Sequence, residues 1–154
     1  MVTGLRLIDP GQGDVAATLA DLHGHAFDRP WNAEAFAVLL SQPGVFAIAE
    51  PDGMILCRAV LDEAEILTLA VRPDARGRGL GRRLTLAASA FAAQMGVERL
   101  FLEVAEDNVA ACALYAQVGF IAEGRRRAYY SRGSGSAVDA LLLVLNLTDR
   151  LPTT

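Results

Sequence analysis

The sequence predicts an α/β (α+β) protein, one mixed sheet carrying helices on both of its faces. Three observations lead there. Apolar segments of strand character alternate with segments of helical period in the order β-α-α-β-β-β-α-β-α-β-β. Turn-forming residues close several of these segments, among them Pro73, Gly96 and Gly119. The chain has 154 residues, 53% apolar and 21% charged, which suits one folded domain over 1–154 with a real core.

GLRLID, at 4–9, alternates as a short strand. Asp14 is placed to cap a helix whose apolar face holds Val15, Leu19 and Leu22. Asn32 can cap a second helix, with Trp31 just before the cap able to pack on Phe36 as a hydrophobic staple. VFAIAE and MILCRAVLD flank Pro51-Asp52-Gly53 and read as a hairpin. EILTLAV, 65–71, is apolar enough for a central strand, and Pro73 stops it. From Gly81 the pattern turns helical, with Leu84, Ala88, Phe91 and Met95 on one face and Gly96 at the end. LFLEV, 100–104, is another strand. Asp107 or Asn108 then opens a helix that runs to Val118 and closes at Gly119. FIAEG and AVDALLLVLNL give the last two strands, with the low-complexity run SRGSGS between them.

Several functional classes are excluded or disfavoured at this level. No apolar run approaches the ~20 residues that span a bilayer, and the start lacks the pattern of a signal peptide. Cys57 and Cys112 are far apart in apolar surroundings and read as buried free thiols, as suits a reducing cytoplasm. His23 and His25 lack the further ligands a metal needs, so a surface or capping role is expected and no metal. The net charge of -4 argues against a surface that tracks nucleic acid.

Against that acidic background, RPDARGRGLGRRL, 72–84, holds three glycines and five of the 14 basic residues, all of them arginine. Glycines let a backbone turn several N–H groups into one concavity, and the following helix adds its positive N-terminal end. Together these favour a phosphate group. The plain alternative is a solvent-exposed turn whose arginines solubilise the helix. Gly77, Gly79 and Gly81 are spaced G-x-G-x-G, so the dinucleotide fingerprint fails where Arg82 stands. A Walker A loop requires lysine, and the chain contains none.

What remains, Arg76-x-x-Gly79-x-Gly81 between a strand and a long helix, resembles the R/Q-x-x-G-x-G/A pyrophosphate loop of the GNAT N-acetyltransferases. FLEVAEDNVAACALYAQVGF resembles the second signature of that family, a strand, an Asn, and a helix carrying Tyr before Gly-Phe. The resemblance implies the GNAT fold, with a mostly antiparallel sheet whose fourth and fifth strands, here 65–71 and 100–104, splay apart around a pantetheine arm. It implies acetyl-CoA as co-substrate. Leu69, Ala70 and Val71 would hold the pantetheine through backbone N–H groups, and Asn108 would hydrogen-bond the same arm. Arg76, Gly77, Arg78, Gly79, Leu80, Gly81 and Arg82 would hold the pyrophosphate.

Glu103 is the one carboxylate within LFLEV. It is either an ordinary solvent-facing strand residue or, partly shielded beside the gap, the base that takes the amine proton. Tyr115 is either a core aromatic or the acid that protonates the departing thiolate, the role its family position implies.

HAFDRPWNAEAF, DEAEILTLAV, FLEVAEDNVAACALYAQVGF and RRRAYY resemble the RimI-type ribosomal-protein alanine N-acetyltransferases of bacteria. That branch implies a cytoplasmic enzyme acting on a protein N-terminus, without direct nucleic-acid binding or membrane attachment. Trp31, Tyr129 and Tyr130 could line the acceptor groove, or simply pack. The sequence departs from the branch at Ala128, where Asn is usual, at Ser131 for Pro, and in the inserted Asp28-Arg29. These departures leave open an acetyltransferase of small-molecule amines, and a non-catalytic acyl-CoA-binding module.

Overall fold

The computed structural model describes residues 6–8, 14–131 and 137–148. Most of the SRGSGS run therefore lies outside the described residues, as does part of the first strand.

Twelve elements follow one another: β1 (Arg6–Leu7), α1 (Val15–Ala26), α2 (Ala33–Leu40), β2 (Val45–Glu50), β3 (Gly53–Val60), β4 (Glu63–Val71), a 3₁₀ turn (Pro73–Ala75), α3 (Leu80–Gln94), β5 (Arg99–Ala105), α4 (Val109–Val118), β6 (Ile121–Ser131) and β7 (Ala137–Asn146). Apart from the short 3₁₀ turn this is the order expected from the sequence. The strands form one sheet, β1-β2-β3-β4-β5-β7-β6, antiparallel except at β4–β5.

Each face of the sheet carries its own core. Ile55, Cys57, Ile66, Leu100 and Leu102 face α3 and α4 and pack with Leu84, Ala88 and Tyr115. On the opposite face Met54, Leu56 and Ala70 meet Leu19 and Leu22 of α1 and Phe36 and Leu40 of α2. Burying each large apolar side chain contributes roughly 1.5–3 kcal/mol, so both helical pairs are held by packing rather than by propensity.

The caps show local chemistry at work. Asn32 Oδ1 accepts the Ala35 N–H at 2.9 Å, and the Trp31 and Phe36 rings lie 5.5 Å apart, so the staple forms. Asn108 rather than Asp107 caps α4, its Oδ1 accepting the Ala111 N–H at 3.2 Å. Asp14 stands at the cap of α1 but its side chain makes no capping bond. α3 ends as Gly96 turns to φ +91°, with the Val97 N–H donating to the Ala92 carbonyl at 3.0 Å. That turn leaves Met95 at the cap and exposed, although the helical period put it on the buried face.

One register shift matters for the site. Cys57 pairs with Ile66 and Leu56 with Thr68, so Leu67 is an extra residue, a bulge in β4. Before it, Ala64 and Ile66 face α3 and α4; after it, Leu69 and Val71 do, while Ala70 turns to α1 and α2. A continuous apolar run such as EILTLAV carries no signal of that phase change.

Candidate active site

β4 and β5 pair at only three positions, Glu63↔Arg99, Ala64↔Leu100 and Glu65↔Phe101. β5 then continues to Ala105 on β7 and β4 continues to Val71 on β3. Beyond Phe101 the two strands diverge, and the edge of β4 over the bulge and Leu69–Val71 faces a gap in place of a strand. Polar backbone groups along such an edge need partners. A pantetheine arm, which carries two amides, has groups of the kind that could supply them.

At the end of β4 the glycine loop turns into α3. Gly77 and Gly79 have φ of +81° and +80°, a conformation that suits glycine, and Gly79 is the cap residue of α3. Around both there is open space; the closest atom to a Cβ built on Gly79 would be Arg83 Nη1 at 4.0 Å. Conformation, not crowding within the chain, thus requires glycine there. At Gly81 the case is the opposite, since a Cβ would lie 3.3 Å from Leu114 of α4.

The five arginines divide into two sets. Arg72 lies 3.8 Å from Asp21 and 4.0 Å from Asp52. Arg76 donates to the carbonyls of Val71 at 3.2 Å and Ala26 at 3.5 Å, bracing the loop against β4 and α1. Arg83 reaches Glu50 at 3.1 Å and the Arg78 carbonyl at 3.3 Å. Arg78 and Arg82 are exposed, and among the described residues none holds their guanidinium groups. Those two cations stand beside the N-terminal end of α3, where an anion such as a phosphate is favoured.

Glu103 and Tyr115 lie on opposite faces of the sheet. On β5, Leu100, Leu102 and Val104 point into the α3–α4 core, so Glu103 points to the other face, two residues past the last β4–β5 pair. It is only partly shielded, with 23% of its side chain exposed, and it has a cation beside it, Arg126 Nε at 2.6 Å. The partial shielding anticipated for this residue is present, and an ion pair accompanies it.

Tyr115 is buried in the α3–α4 core, edge-on to Phe120 with ring centroids 5.4 Å apart. Burial pushes its phenol well above the ordinary value, and the neighbouring Cys57 and Cys112 add to the shift. The hydroxyl therefore keeps its proton at any cellular pH. Asn108, whose Oδ1 caps α4, retains its amide N–H₂ for another partner.

The aromatic residues separate by environment. Trp31 belongs to the α1–α2 core and stacks on His23 at 4.9 Å. Tyr129 is half exposed and meets Tyr130 edge-on at 5.1 Å. His23, expected at the surface, is only 2% exposed. Its Nδ1 accepts the Trp31 N–H at 3.1 Å, which leaves Nε2 to donate to Thr68 Oγ1 at 3.0 Å, beside the bulge. HGH gave no hint of this, because both partners come from other elements. Among the described residues no cluster of His, Cys, Asp and Glu could hold a metal, and no helix is long and apolar enough to cross a membrane.

A family model described as the acetyltransferase (GNAT) family matches residues 16–120. The chain belongs to that family. It is 34% identical over 142 residues to the [ribosomal protein bS18]-alanine N-acetyltransferase of Escherichia coli K12, covering 86% of this chain and 90% of the relative. To the N-alpha-acetyltransferase RimI of Mycobacterium tuberculosis it is 39% identical over 132 residues, 79% of this chain and 81% of the relative. The crystal structure of the ribosomal-protein-S18-alanine N-acetyltransferase from Escherichia coli superimposes with a TM-score of 0.81 at 27% identity, over 97% of this chain and 99% of that one. This GNAT chain is an acetyl-CoA-dependent N-acetyltransferase.

Proposed function

We propose that this acetyltransferase modifies the α-amine of an N-terminal alanine, on a small-subunit ribosomal protein, in the bacterial cytoplasm. The observation that carries the reading is the pair of relatives named for N-terminal acetylation, which match four fifths or more of their own length.

Acetyl-CoA supplies an activated acyl group. The chain must orient it, remove a proton from the amine, stabilise charge on the carbonyl oxygen and return a proton to sulfur. Backbone N–H groups at Leu69–Val71 hold the pantetheine and polarise the carbonyl, Asn108 binds the same arm, and the 76–82 loop binds the pyrophosphate. Glu103 takes the amine proton, directly or through a water. Tyr115, protonated and on the other face of the sheet, delivers a proton to the thiolate. An α-amine has a pKa near 8 against roughly 10.4 for lysine, so a carboxylate base is better matched to an N-terminus. Tyr129 and Tyr130, with Trp31 behind the α1–α2 turn, border the acceptor groove.

The test is a panel of peptides that differ only in their first residue, read by CoA release, alongside mass spectrometry of ribosomal proteins from cells with and without the enzyme. Alanine-first peptides should be the best acceptors, and one ribosomal N-terminus should lose its acetyl group. Faster turnover of a polyamine or free amino acid, with every ribosomal N-terminus unchanged, overturns the reading.

A further inference from the structure

Arg126 lies on β6 in a row that runs Arg126–Ala140–Ala105 across β7 to β5, and the next row on the same face is Gly124–Leu142–Glu103. The Arg126 side chain therefore leans across β7, over positions where Ala140 and Gly124 offer little bulk, to bring Nε within 2.6 Å of Glu103 Oε2. Its exposure is 60% against 23% for Glu103, so the cation is the partner that can leave. A resting place is at hand, since the guanidinium carbon also lies 5.0 Å over the Tyr129 ring. The backbone around it is irregular: between Arg126 and Tyr130 three β6 residues oppose the single Asp139, and Ala128 has φ +52°.

We infer that Arg126 occupies the acceptor-ammonium subsite, neutralising Glu103 until the amine of the acceptor displaces it and returning once that amine has become an amide. The inference rests on Glu103 being the base. An incoming α-ammonium brings the same charge to the same carboxylate, so one cation replaces another and Glu103 is never left unpaired. In the reaction the N–C bond forms and the C–S bond breaks. Of the two protons the ammonium gives up, one passes through Glu103 to solvent and one ends on the sulfur of CoA. The product amide is neutral and cannot hold Glu103, whereas Arg126 can. Exchange of the ion pair thus favours substrate entry over product retention. An exposed pair of this kind is worth little, which keeps displacement easy.

The test compares a peptide beginning with alanine and its N-acetylated form, each titrated into CoA-saturated enzyme by calorimetry. Arg126→Met removes the competing cation while keeping a chain of similar length. It should tighten the free-amine peptide about two- to fivefold, the range an exposed ion pair allows, and leave the acetylated peptide unchanged. In kinetics the acceptor KM should fall and the acetyl-CoA KM should not. Arg126→Lys, which keeps a competing cation, should not tighten the free-amine peptide. Equal effects of Arg126→Met on both peptides, or a lower kcat with no gain in amine affinity, would make Arg126 a simple support for Glu103 and overturn the inference. If a small amine proves the better acceptor, that amine and its N-acetyl product replace the peptides, so failure of the alanine reading and failure of the Arg126 inference remain separable.

Discussion

Tyr115 and His23 show how burial assigns a role to a titratable group. The phenol of Tyr115, pushed up by its apolar surroundings, can donate a proton but cannot serve as a base. Tyr115→Phe preserves the packing against Phe120 and removes only the proton. Turnover should fall by about 10²–10⁴-fold while acetyl-CoA affinity measured by calorimetry stays level; a loss under roughly threefold would leave Tyr115 a packing residue. His23 is held neutral, its pKa lowered to about 4 by burial. Because the folded value lies below the ordinary 6.5, its stabilising effect is complete above pH 6.5 and fades as pH falls towards 4. Up to roughly 3.5 kcal/mol is involved, at ~1.4 kcal/mol per pKa unit. Chemical denaturation between pH 7 and 4 should show a decline in wild type that is much shallower in His23→Gln. Parallel profiles would show that other groups govern the acid limb.

At the scale of elements, backbone conformation decides what the loops can do. Gly79 combines φ +80° with the cap of α3. A β-branched residue there is a conformational outlier. Gly79→Val should weaken acetyl-CoA binding by about tenfold or more, ~1.4 kcal/mol, in a protein that remains folded by circular dichroism; unchanged affinity would remove the loop from the cofactor site. The bulged end of β6 offers a second case. Ala128 holds φ +52°, which costs a non-glycine residue roughly 1–2 kcal/mol, and Asp139 Oδ1 fixes the strained turn by accepting the Ala128 N–H at 2.8 Å. That bond, with Arg125 beside it, also holds the Asp139 carboxyl below the usual range. Asparagine tolerates the left-handed region better than alanine. Ala128→Asn should raise Tm by about 2–4 °C, the shift expected for ~1 kcal/mol in a domain of this size. No rise would mean that Asp139 rather than the residue type sets the turn.

Over the whole molecule, depth within one core separates the two thiols, since Cys57 and Cys112 both belong to the core that α3 and α4 cover. Both cysteines were expected to be buried, yet Cys112 on α4 is only half-buried while Cys57 is fully enclosed. Burial pushes the Cys57 thiol far up; at Cys112 burial also raises it, aided by the carboxylates of Glu106 and Asp107. Iodoacetamide at pH 8 should therefore modify Cys112 slowly and Cys57 only after unfolding, as intact mass will show. Double labelling of the folded protein would mean that the α3–α4 core opens readily.

The order of elements, the helix caps at Asn32 and Asn108 and the glycine loop were all legible in the chain, because each depends on residues within a few positions of one another. So were both signature segments of the family, and with them Glu103 and Tyr115 as candidates. The bulge at Leu67, the burial of His23, the bracing of Arg76 against Val71 and Ala26, and the ion pair of Glu103 with Arg126 were decided by the tertiary structure. Each of these joins segments distant in sequence, where strand register and helix docking choose the neighbours. Local propensity and periodicity hold no record of that choice.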